Sequence, residues 1–104
     1  MAYFLGLDTS NYTTSVALYN SENNQLVQQR KLLPVKDGSI GLRQSDAVFF
    51  HTRQMAPLME ELFLACPEAD PQAIGVSVSP RDAEDSYMPC FLVGENVGRC
   101  LAAS

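Results

Sequence analysis

The strongest structural signal in this chain lies in residues 5–18, Leu5-Gly-Leu-Asp-Thr-Ser-Asn-Tyr-Thr-Thr-Ser-Val-Ala-Leu18. The segment begins inside a short apolar run, residues 3–7, of the kind that forms a buried strand. It then crosses a cluster of turn-forming residues at 8–11 and ends in residues 13–19, which are rich in β-branched and aromatic side chains. We therefore predict two strands joined by a tight turn.

The rest of the chain extends this hairpin into an α/β pattern. A third strand is predicted after a polar turn at 20–24, and such short links favour an antiparallel meander because parallel strands need a long crossover. Helix and strand alternate afterwards, so the fourth strand is predicted to run parallel to an earlier one. The predicted elements are a strand over 25–35, a helix capped by Ser45 or Asp46 and running to about Ala65, a strand over 73–78 and a helix from about Pro89 to Ala103, giving the order β-β-β-α-β-α.

Each predicted helix contains residues that disturb regular helical structure. The first has apolar residues at spacings of mostly three and four between positions 47 and 63. Pro57 lies inside it and predicts a kink or a division into two helices. The second contains Gly94 and Gly98, which either let a neighbouring element approach closely or simply weaken the helix.

The composition is that of a small, acidic, globular chain. Its 104 residues form one small domain or part of a larger protein, and 46% hydrophobic residues are too many for a disordered chain. Seven basic and 12 acidic side chains leave a net charge of −5, which argues against a nucleic-acid-binding surface acting alone. No apolar run approaches the roughly 20 residues that cross a bilayer. Three cysteines without a Cys-x-x-Cys pair suggest reduced thiols in the cytoplasm.

The turn between the first two strands concentrates small polar side chains. Asp8 stands at the end of the first predicted strand, and residues 9–14 include four hydroxyl-bearing Ser and Thr residues. Backbone N–H groups and hydroxyls in a tight turn can cradle a phosphate. A carboxylate at a strand end can hold a hydrated Mg²⁺ that bridges phosphates. The alternative is a plain hairpin with an Asx turn at Asp8 or Asn11, and the residue types leave both interpretations open.

Three blocks of the sequence resemble one protein family in their order and spacing. The blocks are Gly6-Leu-Asp-Thr-Ser10 followed by Ser15-Val-Ala-Leu-Tyr19, then His51-Thr-Arg-Gln-Met-Ala-Pro-Leu-Met59, then Leu92-Val-Gly-Glu-Asn-Val-Gly-Arg-Cys-Leu-Ala102. The second is similar to a His-x-x-x-x-x-Pro-Leu helix and the third to a Leu-Val-Gly-x-x-x-Gly-x-x-Leu-Ala helix. Together they resemble the amino-terminal part of the glycoprotease-like family, the tRNA threonylcarbamoyladenosine transferases. This family belongs to the actin, sugar-kinase and Hsp70 superfold.

The resemblance implies a ribonuclease-H-like lobe, with residues 1–104 as the amino-terminal lobe of an actin-like, two-lobed nucleotide-binding protein. It implies ATP with Mg²⁺, or an acyl-adenylate, as ligand, and transfer of a threonylcarbamoyl group to adenosine in tRNA. The family's His-x-x-x-His metal pair and its later Asp would lie beyond this chain, so no metal ligands are expected in it. The phosphate-binding residues that the turn and the resemblance together nominate are Asp8, Thr9, Ser10, Asn11, Thr13 and Thr14.

The sequence departs from the family pattern at two places near the predicted site. After its Thr-Ser, the typical transferase carries an acidic pair, which here is replaced by Asn11 and Tyr12, so a possible base is lost. The family's Gly-Pro-Gly turn is replaced by Ser79-Pro80-Arg81 and a longer loop. Without glycine, the backbone approaches an anion less easily. These departures favour a divergent paralogue and leave the catalytic residues unassigned.

The remaining residues that could bind a ligand or react are interpreted mainly as structural or solvated side chains. His51, the only histidine, has no second ligand at helical spacing and is predicted to be a structural or partly exposed helix residue. Arg43 suits phosphate or carboxylate recognition, although most surface arginines are solvated. Cys90 and Cys100 are predicted to be buried free thiols on one helix. The longer loop carries an acidic cluster that is predicted to be solvated, namely Asp82, Glu84 and Asp85.

Two functions are compatible with these observations. The first is an acyl or carbamoyl transferase that uses ATP or an acyl-adenylate, with this chain forming one wall of the site and inactive by itself. The second is a non-catalytic nucleotide-binding or scaffold partner that forms a homodimer or heterodimer through its helical face. Both predict a cytoplasmic protein without membrane attachment that reaches tRNA only as a full-length protein or complex. A peptidase is not indicated, because the chain shows no set of nucleophile, base and orienting residue.

Overall fold

The computed structural model describes residues 2–10, 12–34, 43–79 and 88–104. This part of the chain forms four strands and two helices, which follow one another as β1 (Tyr3–Asp8), β2 (Thr13–Asn20), β3 (Gln25–Leu32), α1 (Gln44–Ala65), β4 (Pro71–Val76) and α2 (Phe91–Ala103). The predicted α/β class is therefore confirmed. The third strand ends at Leu32, earlier than expected, and the fourth begins at Pro71 and ends at Val76.

The four strands form one mixed sheet in the spatial order β3-β2-β1-β4. β1 pairs with β2 and β2 with β3 in antiparallel fashion, whereas β4 lies parallel to β1. The tight β2–β3 link is stabilised by side-chain acceptors, since Asn20 and Asn23 accept backbone N–H bonds from residues two positions ahead. Asn24 supplies the left-handed conformation that the turn needs, with φ 57°. The predicted meander and parallel fourth strand are confirmed.

Both helices pack on the same face of the sheet. α1 contacts β2 and β3, and α2 contacts β1 and β4. Because side chains alternate along a strand, each strand sends every second residue into the core between sheet and helices. The buried core there comprises Tyr3, Leu5, Leu7, Val16, Leu18, Met55, Leu58, Leu62 and Cys66. We call the opposite face, which carries Phe4, Gly6, Asp8, Thr13, Ser15, Ala17 and Tyr19, the open face, since neither α1 nor α2 packs against it.

α1 corrects two expectations from the sequence. It is a single helix that includes Pro57, so the predicted division into two helices is wrong. Proline removes one backbone hydrogen bond, but Met55, Leu58 and Leu62 on either side bury into one core, and this packing outweighs the loss. The cap residue is Arg43 and no side chain caps the helix, so the predicted capping by Ser45 or Asp46 is also wrong.

α2 lies close to the sheet where its two glycines face β1 and β4. A Cβ atom on Gly94 would lie 3.1 Å from Thr9 Oγ1 and 3.2 Å from Val76 Cγ2. A Cβ atom on Gly98 would lie 3.6 Å from Ile74 Cγ2 and 3.7 Å from Leu7 Cδ1, which is ordinary contact. Close approach is therefore the reason for glycine at position 94.

The two cysteines predicted for this helix differ in environment. Cys90 is buried at the amino-terminal cap of α2, as expected for a free thiol. Cys100 is exposed, so its predicted burial is wrong. Within the described residues, neither helix is both long and apolar enough to span a membrane.

Several sequence features lie outside the described residues. They are Asn11 in the first hairpin, the Pro80-Arg81 pair, and the acidic cluster of Asp82, Glu84 and Asp85.

Candidate functional site

The β1–β2 hairpin divides the nominated phosphate-binding residues between two faces of the sheet. Asp8 pairs with Ser15 across the two strands, and both residues belong to the open face. The alternation of side chains then turns Thr9 and Thr14 toward the helices, where both are fully buried. Ser10 and Thr13 are half-buried near the mouth of the turn.

Asp8 is held by two hydrogen bonds at the carboxyl end of β1. Its Oδ1 accepts the backbone N–H of Ser10 at 3.0 Å and the hydroxyl of Ser77 at 2.6 Å. The first bond is the Asx turn that the sequence offered as an alternative. Partial burial acts to raise the pKa of this carboxyl, but the hydrogen bonds from Ser77 and Ser10 outweigh it and keep the pKa below its usual value. Asp8 is therefore ionised at neutral pH.

A polar depression of about 310 Å³ opens beside Asp8 on the open face. Its lining residues come from β1, β2, the turn between them and β3, and they are Asp8, Ser10, Tyr12, Thr13, Ser15, Gln28 and Arg30. This volume lies at the lower end of the range of ligand pockets, roughly 300–1,000 Å³. The depression therefore suits a small polar group, such as part of a nucleotide, better than a whole large ligand.

Thr9 joins the first hairpin to the start of α2. Its side chain is fully buried, its hydroxyl donates to the carbonyl of Cys90 at 2.8 Å, and its Oγ1 accepts the N–H of Gly94 at 3.1 Å. Gly94 is the fourth residue of α2, so the regular helical acceptor of its N–H is the carbonyl of Cys90. The Thr9 hydroxyl therefore bridges the two groups that form the first hydrogen bond of α2, and it does not line the depression.

Thr14 joins β2 to α1 through a buried polar network. Its Oγ1 lies 2.8 Å from Nδ1 of His51, and both side chains are fully buried. Gln54 donates its Nε2 hydrogen to the same oxygen at 3.0 Å and reaches the carbonyl of Lys31 at 3.3 Å. Because Gln54 supplies the donor, the hydroxyl hydrogen of Thr14 is available for His51. Of the two environments predicted for His51, the structure has the buried one.

Four of the seven residues that line the depression were not nominated from the sequence, namely Tyr12, Ser15, Gln28 and Arg30. Gln28 and Arg30 lie on β3, and Gln28 donates from Nε2 to the hydroxyl of Ser15 at 3.0 Å. The β2–β3 register pairs Ser15 with Arg30, so the short turn at 20–24 already places β3 beside the hairpin. Arg43 lies at the start of α1 and does not line the depression.

The described residues offer little for direct metal binding by the protein. Nowhere in the described parts of the chain do three or more His, Cys, Asp or Glu side chains come together. Asp8 is the one carboxylate at the depression, and both of its hydrogen bonds from described residues fall on Oδ1. Its Oδ2 and the neighbouring hydroxyls are hard oxygen ligands, the type that Mg²⁺ prefers when it keeps its water and binds substrate phosphates.

These features define a mixed α/β domain in which the first hairpin opens onto a polar depression. Solved structures share this fold, including these two. YeaZ from Pseudomonas aeruginosa superposes with a TM-score of 0.68 at 21% sequence identity, over 99% of this chain and 39% of that one. An uncharacterized protein with similarity to peptidase YEAZ from Pseudomonas aeruginosa gives a TM-score of 0.67 at 21% identity, with the same coverage.

At this level of sequence identity, the similarity to these structures shows a shared fold. The chain spans about two-fifths of the length of each of these chains. No protein-family model and no curated protein matches the sequence.

Proposed function

We propose that this chain contributes the first phosphate-binding hairpin of an ATP or acyl-adenylate site in a tRNA threonylcarbamoyladenosine transferase-like protein. The lobe would be ribonuclease-H-like and of the actin type. Three lines support this: the sequence blocks that resemble the glycoprotease-like family, the fold shared with YeaZ, and the polar depression beside Asp8. The depression carries the proposal, because it brings a carboxylate and several hydroxyls together at the mouth of the hairpin.

Three of the nominated side chains would contact the ligand directly. Asp8, Ser10 and Thr13 line the depression, whereas Thr9 and Thr14 would serve by fixing the two ends of the hairpin to α2 and α1. The ionised carboxylate of Asp8 would hold a hydrated Mg²⁺ through its Oδ2. When bound, the ion neutralises charge on the phosphates. The hydroxyls of Ser10 and Thr13 would donate to phosphate oxygens.

Replacing Asp8 with Asn is expected to abolish the dependence of ATP binding on Mg²⁺. The amide keeps an oxygen for the bonds from Ser10 and Ser77, so the hairpin stays folded, but the negative charge that attracts the cation is lost. ATP titrations of the 104-residue chain, followed by NMR with and without Mg²⁺, measure the effect. The matched control is Asp46→Asn, the same charge change on the first turn of α1. Absence of ATP binding by the unmodified chain at millimolar ligand would refute the proposed function.

The second candidate function is a scaffold partner that pairs through its helices. The observation that favours it is a groove of about 370 Å³ between α1 and α2, lined by Val48, Thr52, Met55, Leu92, Val93, Asn96 and Val97. Leu92, one of the residues that line this groove, is about half exposed, so its apolar side chain is accessible to a partner. Pairing of two copies would bury this side chain.

Light scattering at increasing concentration tests the pairing. The scaffold function predicts a dimer that Leu92→Asp dissociates, because a charge in an apolar interface is unfavourable. Leu26→Asp, the same change at an exposed leucine on β3, is the control and should leave the dimer intact. A strictly monomeric chain at all concentrations would contradict this candidate.

A peptidase function receives no support from the described residues. The one histidine has a hydroxyl partner, Thr14, but both side chains are fully buried between β2 and α1. A nucleophile must reach the carbonyl of its substrate, and this hydroxyl has no access to one.

A further inference from the structure

A row of four polar side chains crosses the sheet at the depression. Arg30 on β3 pairs with Ser15 on β2, and Ser15 pairs with Asp8 on β1. Ser77, which directly follows β4, completes the row through its hydrogen bond to Asp8. Since neighbouring strands lie about 4.8 Å apart, the Cα atoms of Arg30 and Asp8 are separated by roughly 10 Å.

The two charged members of this row stand apart rather than forming an ion pair. Asp8 is tied to Ser77, on the side of β1 away from Arg30. Arg30 is exposed, and its guanidinium makes no hydrogen bond or ion pair with the residues that the structure describes. Between them, the Ser15 hydroxyl accepts a hydrogen bond from Gln28. The depression therefore has a negative end, a neutral middle and a positive end.

Within the four described strands, Arg30 is the one basic residue on the open face of the sheet. The next residue, Lys31, pairs with Thr14 and thus belongs to the helix side of the sheet. Among the described residues that line the depression, Asp8 and Arg30 are the only charged ones. The chain has a net charge of −5, and the Asp8 carboxylate repels an anion that enters the depression. The positive charge of Arg30 lies where it would offset this repulsion.

We infer that Arg30 is a phosphate-binding residue and that the site takes the polyphosphate of ATP rather than the single phosphate of an acyl-adenylate. This inference rests on the proposed function and narrows its ligand. A planar guanidinium binds phosphate oxygens with two parallel hydrogen bonds. A ligand that reaches both a cation at Asp8 and the guanidinium of Arg30 needs more than one phosphate group, because the two residues lie at opposite ends of the depression.

The test compares Arg30→Gln with the unmodified 104-residue chain in NMR titrations with Mg²⁺ and either ATP or AMP. The substitution is expected to weaken ATP binding about fivefold, the effect of an exposed charge contact. AMP, which carries one phosphate, is expected to bind with unchanged affinity. Arg30→Lys should give an intermediate affinity for ATP, because it keeps the charge and loses the planar fork. Arg99→Gln on α2 makes the same charge change away from the sheet and serves as the control.

The outcomes separate this inference from the proposed function. If the unmodified chain binds neither nucleotide, both are wrong. If it binds ATP and Arg30→Gln binds ATP equally well, the role of Arg30 is wrong while the proposed function stands. Equal losses for ATP and AMP would also overturn the preference for a polyphosphate. The Mg²⁺ enhancement of ATP binding should persist in Arg30→Gln, in contrast to Asp8→Asn.

Discussion

Replacing Leu62 with alanine is expected to lower the free energy of unfolding by about 3 kcal/mol. Leu62 is fully buried at the centre of the core between α1 and the sheet, so the substitution removes apolar contacts and leaves a cavity. A loss of this size is a large part of the stability of a small domain, which is roughly 5–15 kcal/mol. Urea unfolding followed by circular dichroism measures it.

Leu64 provides a matched control two residues further along the same helix. Its side chain is 80% exposed, so Leu64→Ala removes almost no packing and slightly favours the helix. The pair also tests the course of α1 beyond Pro57. If the helix ended at the proline, the orientations of positions 62 and 64 would no longer be fixed by helical geometry, and the two substitutions would have similar effects. Equal stability losses would therefore contradict the continuous helix.

The strands could be predicted from the sequence because their signals are local. The apolar run of β1 and the β-branched residues of β2 are separated by four turn-forming residues, and short links restrict them to antiparallel pairing. The continuity of α1 through Pro57 could not be predicted this way. It depends on Leu58 and Leu62 packing against strands that are distant in sequence, and this packing overrides the local cost of proline.

The candidate site could be predicted in part. Its location at the first hairpin follows from Asp8 and the hydroxyl residues beyond it, but these residue types do not show which side of the sheet each side chain faces. The period of two along a strand already separates Asp8 and Ser15 from Thr9 and Thr14, so this signal was present in the sequence. Arg30 could have been found from the β2–β3 register.

The partner of His51 was beyond sequence reasoning for a physical reason. Thr14 lies 37 positions earlier in the chain, and only the packing of α1 on β2 brings the two side chains together. The position of a lone histidine in a helical pattern shows which face of the helix it lies on. It does not identify a hydrogen-bond partner on another strand or helix.

Replacing Thr14 with valine is expected to lower the free energy of unfolding by about 2 kcal/mol. Valine has nearly the shape of threonine, so packing is retained, but buried His51 loses its hydroxyl partner and Gln54 loses one acceptor. Thr13→Val on the same strand is the control, and because Thr13 is only half-buried we expect a change within about 0.5 kcal/mol. Equal effects of the two substitutions would contradict the buried network.

The same variant decides between two arrangements of the phosphate site. If Thr14 is a phosphate ligand, as the hairpin sequence alone suggested, Thr14→Val weakens ATP binding in proportion to the hydrogen bond lost. If its hydroxyl is instead held by His51 and Gln54 on the helix side, the folded variant binds ATP with unchanged affinity while its unfolding midpoint falls. We expect the second result, because the single hydroxyl group of Thr14 already contacts His51 and Gln54 and lies on the face of the sheet opposite the depression.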